Sequence, residues 1–221
     1  MEDAITSRAP GRREERRASR RDAIIDVAAR SFLEQGYANT TMNGIAATLG
    51  GSKGTLWSYF PSKENLFAAV LDRITEAFQR ELTVILNPAE PLENALRKVC
   101  MGLIERTTSP QGVALYRLIV GEVQRFPEIG PIFYERGPNA TRAQLATYLA
   151  EAMAKGKLRA GDPEIAAQHL AGLCLSGLHM QMLCRHIEQA TPRAKAEEAE
   201  RAIAAFLRAY APEATGKGQT E

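Results

Sequence analysis

Apolar residues recur at intervals of three and four along almost the whole chain, the pattern of amphipathic helices that turn one face to a core. Ile24, Ile25, Ala28, Ala29 and Phe32 predict a first helix over about 12–35, stopped by Gly36. Thr40 or Thr41 supplies the N-cap of a short second helix with Ile45, Ala46 and Leu49 on its inner face and Gly50 at its end. Asn43-Gly44 alone is a hairpin signal, but no alternating runs flank it and the helical period continues through it, so helix is expected. Beyond Gly50-Gly51, Ser52 caps a third helix whose only apolar anchors are Leu56 and Phe60, stopped by Pro61. Ser62 opens a long fourth helix from Lys63 to about Leu86. Further periodic segments predict helices over about 91–107, 111–126, 139–155 (or from around Phe133), 163–188 and 193–210, separated by Pro127, Gly130, Pro131, Gly156, Gly161 and Pro163. No segment alternates with period two and no fixed-length repeat occurs, so the expected fold class is all-α, with about nine helices.

The order helix, short helix, tight turn, short helix, long helix is the layout of a helix-turn-helix module. The expected organisation is therefore a loose tail at 1–11, an N-terminal three-helix helix-turn-helix domain at 12–66, a larger C-terminal helical bundle at 67–211 and a frayed end at 212–221. The third helix carries the chemistry such a module needs. A major groove about 12 Å wide admits one helix, and Lys53, Thr55, Trp57, Ser58 and Tyr59 offer polar and flat groups on the side away from Leu56 and Phe60. Gly54 lets the backbone approach closely. Helix N-termini at Thr41, Ser52 and Ser62 present free N–H groups to phosphate, and Lys63 adds a full charge at the third.

Charge sharpens this picture. Residues 8–63 hold ten Lys/Arg against five Asp/Glu, a net +5, while the rest holds eighteen against twenty-one, a net −3, within an overall +2. A basic head on a slightly acidic body fits a polyanion partner. The cluster Arg12, Arg13, Arg16, Arg17, Arg20 and Arg21 reads either as an arm on phosphate or as a solvated helix face, with Glu14 and Glu15 cancelling part of its charge.

The run Thr40-Thr41-Met42-Asn43-Gly44-Ile45-Ala46, with Leu49-Gly50-Gly51-Ser52-Lys53-Gly54-Thr55-Leu56-Trp57-Ser58-Tyr59-Phe60-Pro61-Ser62-Lys63-Glu64-Asn65-Leu66-Phe67, resembles the DNA-binding signature of the TetR family of bacterial transcription regulators over residues 20–70. Arg117-Leu118-Ile119 through Glu122, Phe126-Pro127, Phe133 and Tyr134 to Gly156 and Leu158 resembles the AefR-like branch. The resemblance implies that Lys53, Gly54 and Thr55 form the groove-facing start of a recognition helix that Ser52 caps. It implies that Trp57 packs on sugar-phosphate or a thymine methyl where the family usually has Tyr, and that Tyr59, Lys63 and Thr41 hold phosphate. Asn43 is placed to reach a base edge. The sequence departs from the family pattern at Gly51, usually Val, and at Asn43-Gly44, usually an acidic pair.

The resemblance further implies a homodimer in which the last two helices of each copy pair, with Gly172, Ser176, Gly177, Ile203, Phe206, Leu207 and Tyr210 at the interface. An effector pocket is expected among Met101, Leu103, Tyr116, Phe126, Phe133, Tyr134, Cys174, Leu178 and His179, although each also reads as ordinary core. The expected function is a ligand-responsive regulator of transcription, a repressor released from double-stranded operator DNA by a small molecule. Activation is the alternative sign, and a helical metal sensor or scaffold the alternative class.

The rest of the sequence narrows these options. Cys174, His179, Met180, Met182, Cys184 and His186 invite a soft-metal reading, but their spacing does not gather a Cys/His set on one helix face, so no metal or cofactor is expected. Gly50 to Thr55 lacks the Gly-Lys-Ser/Thr order of a phosphate loop, and no catalytic motif occurs, so an enzyme is not expected. The longest apolar stretch, His169 to Cys184, is interrupted by His169, Ser176, His179 and Gln181, too short of the ~18 clean residues a bilayer requires. The Arg cluster has no apolar run behind it to make a secretory signal, and three scattered cysteines suit a reducing compartment, so a cytoplasmic location is expected.

Overall fold

The computed structural model describes residues 11–50 and 53–212, Lys53 through its backbone alone. The expectations for Gly51, Ser52, the Lys53 side chain and the two tails apart from Gly11 and Pro212 lie outside the described residues. Among the described residues there is no strand; there are eleven α-helices and one π-helical turn. None of these helices is long and apolar enough to cross a membrane. The chain divides into two compact units between Arg73 and Ile74.

The first unit is built by α1 (Arg12–Asn39), α2 (Met42–Thr48), α3 (Lys53–Tyr59) and the first turns of α4 (Lys63–Ile85). Gly36 breaks α1 as its sequence predicts. Its φ of 83° is the left-handed conformation that side chains with a Cβ avoid, and the chain bends there. Thr40 turns its hydroxyl back to the Gly36 carbonyl at 2.8 Å. Thr41 is the N-cap of α2, accepting the Gly44 N–H at 3.0 Å. Ile24, Ile25, Ala28 and Phe32 of α1, Ile45 and Ala46 of α2, Leu56 of α3, Phe60, and Leu66, Phe67 and Val70 of α4 are all buried. An aromatic trio tightens this core: Phe32 stacks on Tyr37 at 5.5 Å, and Phe67 meets both edge-on at 5.1 and 5.2 Å.

The second unit contains the rest of α4 and α5 (Leu92–Thr107), α6 (Pro110–Glu122), α7 (Ile129–Tyr134), α8 (Ala140–Ala154), α9 (Pro163–Leu175), α10 (Leu178–Leu183) and α11 (Pro192–Tyr210). Three of its N-caps are local and follow one recipe: Ser109, Asp162 and Thr191 each accept a backbone N–H, and each is followed by proline at the first helical position. α8 packs on α9, and α11 packs on α5 and α9. Leu96, Val99, Cys100 and Ile104, Leu145 and Leu149, Ala166, Leu170 and Cys174, and Ala199, Ile203 and Phe206 share a single core.

Two expectations about this unit are corrected. The helix predicted from 139, or from around Phe133, starts at Ile129. α7 runs into α8 through a π-helical turn at Glu135–Asn139, where Pro138, lacking an N–H, interrupts the α-helical ladder without ending the helix. The helix predicted over 163–188 is two, α9 and α10, separated at Ser176 and Gly177. The cause is Glu198 of α11. Its carboxylate is buried and accepts the Leu178 N–H with both oxygens at 3.0 Å, so the α10 N-terminus is capped from another helix rather than continued from α9.

Candidate functional site

α3 separates its two faces as a groove-reading helix must. Leu56 is 2% exposed and Phe60 3%, whereas Gly54, Thr55 and Ser58 are exposed and Trp57 shows 47% of its surface. Burial of a large aromatic is the usual fate of tryptophan; here the neighbouring anchors take the inner side and leave the indole outside. Tyr59 is half-buried, with the Arg17 guanidinium 5.8 Å from its ring centroid. Thr41 and Asn43, at the start of α2, are exposed.

The basic stretch of α1 is engaged with this head. Arg20 donates to the Leu49 carbonyl at 3.4 Å, and Arg21 lies 5.3 Å over the Phe60 ring. Arg17, Arg20 and Arg21 thus reach the far end of α2 and the end of α3, with Arg20 half-buried and the other five arginines of the cluster exposed. Both sequence readings of this cluster, arm and solvated face, omitted these contacts. Lys63 holds an unexpected partner as well. Its ammonium donates to the Tyr37 carbonyl and sits 4.0 Å over the Tyr37 ring, half-buried. Tyr37 in turn reaches the Glu64 carboxylate at 3.4 Å. A hydrogen bond from Ser62, with the local backbone, holds that carboxyl below its ordinary range. Tyr37 is therefore the tie between the end of α1 and the start of α4. Its signal in the sequence was an aromatic directly after the Gly36 stop, which reads as a turn residue until packing is known.

In the second unit the expected pocket residues separate into three sets. Tyr116, Phe133 and His179 come together: Tyr116 meets His179 edge-on at 4.9 Å and Phe133 edge-on at 5.8 Å. Phe126 and Tyr134 face arginines instead, Arg125 at 5.3 Å over the first and Arg142 bonded to the second hydroxyl at 2.9 Å. Leu103, Cys174 and Leu178 lie in the main core, with Met101 packed against it. Cys174 is held against Cys100, and that contact together with burial pushes its thiol well up. His179 is 3% exposed; its Nδ1 is 2.9 Å from the Thr107 carbonyl, and its Nε2 is buried without a protein partner. Burial lowers its tendency to protonate. Arg106, missed by the sequence reading, is a second such group. Its Nη1 is buried and unpartnered, its guanidinium lies 5.1 Å over Phe78, and burial pushes its pKa down. Arg106 follows Val99 and Leu103 at helical spacing, so its position on the inner stripe was the available signal.

The expected dimer residues also divide. Gly172, Ser176, Phe206 and Tyr210 line an apolar groove of about 580 Å³ between α9 and α11, together with His169 and Leu173. Ile203 does not join them. At 2% exposure it faces the protomer's own core beside Ala199 and Ala202, and Phe206, fully buried in the same core, borders the groove only from beneath. Gly177 faces Glu198 rather than a groove. Leu207 packs at the core margin. Among the described residues no three His, Cys, Asp or Glu side chains converge as a metal site would need.

Comparison with known proteins agrees with this arrangement. The family described as bacterial regulatory proteins, tetR family, matches residues 24–70. The AefR-like transcriptional repressor C-terminal domain matches residues 94–212, more than half of the chain. The solved structure of the flavonoid-responsive regulator FrrA is 35% identical and superimposes with a TM-score of 0.75 over 89% of this chain and 100% of that one. A regulator from Mesorhizobium loti assigned to the same family is 29% identical, with a TM-score of 0.74 over 89% of this chain and 98% of that one. The HTH-type transcriptional regulator YhgD of Bacillus subtilis is 22% identical over 152 residues, 67% of this chain and 76% of that protein. With α3 exposing one face and both of its domains matched, the chain belongs to the TetR family of ligand-responsive, DNA-binding transcriptional regulators, with an AefR-like C-terminal domain.

Proposed function

We propose that this chain is a homodimeric repressor that occupies operator DNA through α3 and leaves it when the second unit binds an aromatic small molecule. The observation that carries the reading is the two-faced α3, with Leu56 and Phe60 sealed and Gly54, Thr55, Trp57 and Ser58 presented outward. Lys53, Gly54 and Thr55 read base edges with Asn43, and Trp57 packs on the sugar-phosphate. Ser52, Tyr59, Lys63 and the hydroxyl of Thr41 hold phosphate. Arg17, Arg20 and Arg21 stiffen the head from behind. The effector class follows from the 35%-identical relative named for its flavonoid response and from the aromatic set Tyr116, Phe133 and His179. α4 contributes to both units and carries the change between them. The reading has no catalytic step and places the protein in the cytoplasm, beside the chromosome.

The test begins by selecting an operator from a random duplex pool with the full chain. Affinity is expected to fall steeply with salt, for each phosphate neutralised releases counterions. Tyr59→Ala and Lys63→Ala should weaken binding to selected and random duplexes alike, by about ten-fold each, as loss of a phosphate contact does. Asn43→Ala and Lys53→Ala should instead alter the selected sequence, since a base contact contributes ~1–3 kcal/mol of discrimination. The reverse pattern overturns these assignments.

The α9–α11 groove supports the dimer. Gly172 is exposed and an added Cβ there meets nothing within 4 Å, so a side chain can leave the helix at this position without a clash at its base. Gly172→Arg is expected to shift the protein from dimer to monomer in sedimentation while its helical content stays unchanged. Retention of the dimer would place the interface elsewhere.

A further inference from the structure

His179 is the second residue of α10 and is almost wholly enclosed. Its Nδ1 faces the Thr107 carbonyl at 2.9 Å, and a carbonyl oxygen can only accept, so Nδ1 carries the hydrogen. Burial keeps the ring neutral, which leaves a lone pair on Nε2. That atom is buried and meets no donor from the protein. Buried polar atoms are paired in the great majority of cases, and those that are not call for an explanation. Support of the last α5 carbonyl explains Nδ1, but it leaves Nε2 unaccounted for. The surroundings indicate what kind of molecule would satisfy it. The Tyr116 ring stands edge-to-face on the imidazole, and Phe133 stands against Tyr116 in the same way. Both rings are only half-buried, so this wall is open to a partner in a way that the main core is not.

We infer that His179 reads a hydroxyl on the effector: Nε2 accepts a hydrogen bond from the O–H of a flat aromatic compound lying against Tyr116 and Phe133, so phenolic compounds bind more tightly than their O-methylated counterparts. The inference rests on the reading of the second unit as the effector site and adds the chemical group that the site selects. A site that hydrogen-bonds a substrate hydroxyl discriminates strongly against the analogue without it, because the buried partner is then left unpaired.

The experiment titrates the full chain with 7-hydroxyflavone and with 7-methoxyflavone, by calorimetry. The hydroxy compound is expected to bind at least ten-fold more tightly than the methoxy compound. In His179→Phe, which keeps an aromatic ring and removes the acceptor, the two are expected to bind within two-fold of each other. Helical content and melting temperature of the variant establish that it is folded, and the comparison on the unaltered chain does not depend on the variant at all. Equal binding of both compounds to the unaltered chain, or a preference that survives in His179→Phe, overturns the role of His179 and leaves the effector reading standing. If neither compound binds, the role falls together with the flavonoid-like effector class, while release of the selected operator by other small molecules still tests the regulator reading separately.

Discussion

Phe60→Ala is expected to remove about 3–5 kcal/mol from the stability of the first unit, the usual result of emptying a buried phenylalanine site. Phe60 is 3% exposed and closes α3 onto the core, with Arg21 stacked over its ring. α3 is only seven residues long, too short to hold its shape without tertiary anchors. Leu56 and Phe60 are its fully buried anchors among the described side chains, so loss of one should loosen it. Urea unfolding followed by circular dichroism measures the loss, and binding to the selected operator should vanish with it. Trp57→Ala is the matched control. About half of its side chain is exposed, so it should lose less stability than Phe60→Ala, about 1 kcal/mol, while operator binding weakens. If Phe60→Ala melted like the parent and still bound DNA, α3 would not be held in the way described.

Gly177→Ala is expected to destabilise the second unit by about 2–4 kcal/mol. A Cβ there would lie 2.2 Å from a Glu198 carboxylate oxygen and 2.7 Å from its Cδ, well inside contact distance. The carboxylate cannot step aside freely, because it is buried and both oxygens hold the Leu178 N–H. Displacing it forfeits a hydrogen bond to a charged group, ~1.5–3 kcal/mol, and leaves the α10 N-terminus uncapped. Glu198→Ala should cost a similar amount for the same reason. The two changes together should cost much less than their sum, since the clash disappears with the carboxylate. Additive effects in unfolding measurements would separate Gly177 from Glu198 and require another cause for the break between α9 and α10.

Much of the candidate DNA interface was legible from the sequence because its determinants are local. Thr41 caps α2 through a residue three positions away, and Gly36 and Pro61 act through their own backbone. The spacing of Leu56 and Phe60 fixed which side of α3 faces inward, and hence that Trp57 and Thr55 face outward. What escaped was the use of the charged side chains behind that surface. Arg20 reaches Leu49 across 29 residues and Lys63 reaches Tyr37 across 26, and no periodicity encodes either meeting. Ile203 shows the complementary error. Its apolar character was read correctly, but whether an apolar face meets its own core or a second chain depends on the helices packed beside it.

The sequence by itself determined the helical class, the caps of its elements and the inner and outer sides of α3, since each depends on residues within one or two turns of each other. Only the tertiary structure decided that α9 and α10 separate and that His179 keeps one nitrogen buried and unpartnered. Those outcomes depend on Glu198 reaching Leu178 across 20 residues and on Thr107 meeting His179 across 72. A buried polar group takes whichever partner packing brings within reach, and packing is a property of the whole fold rather than of any local stretch of chain.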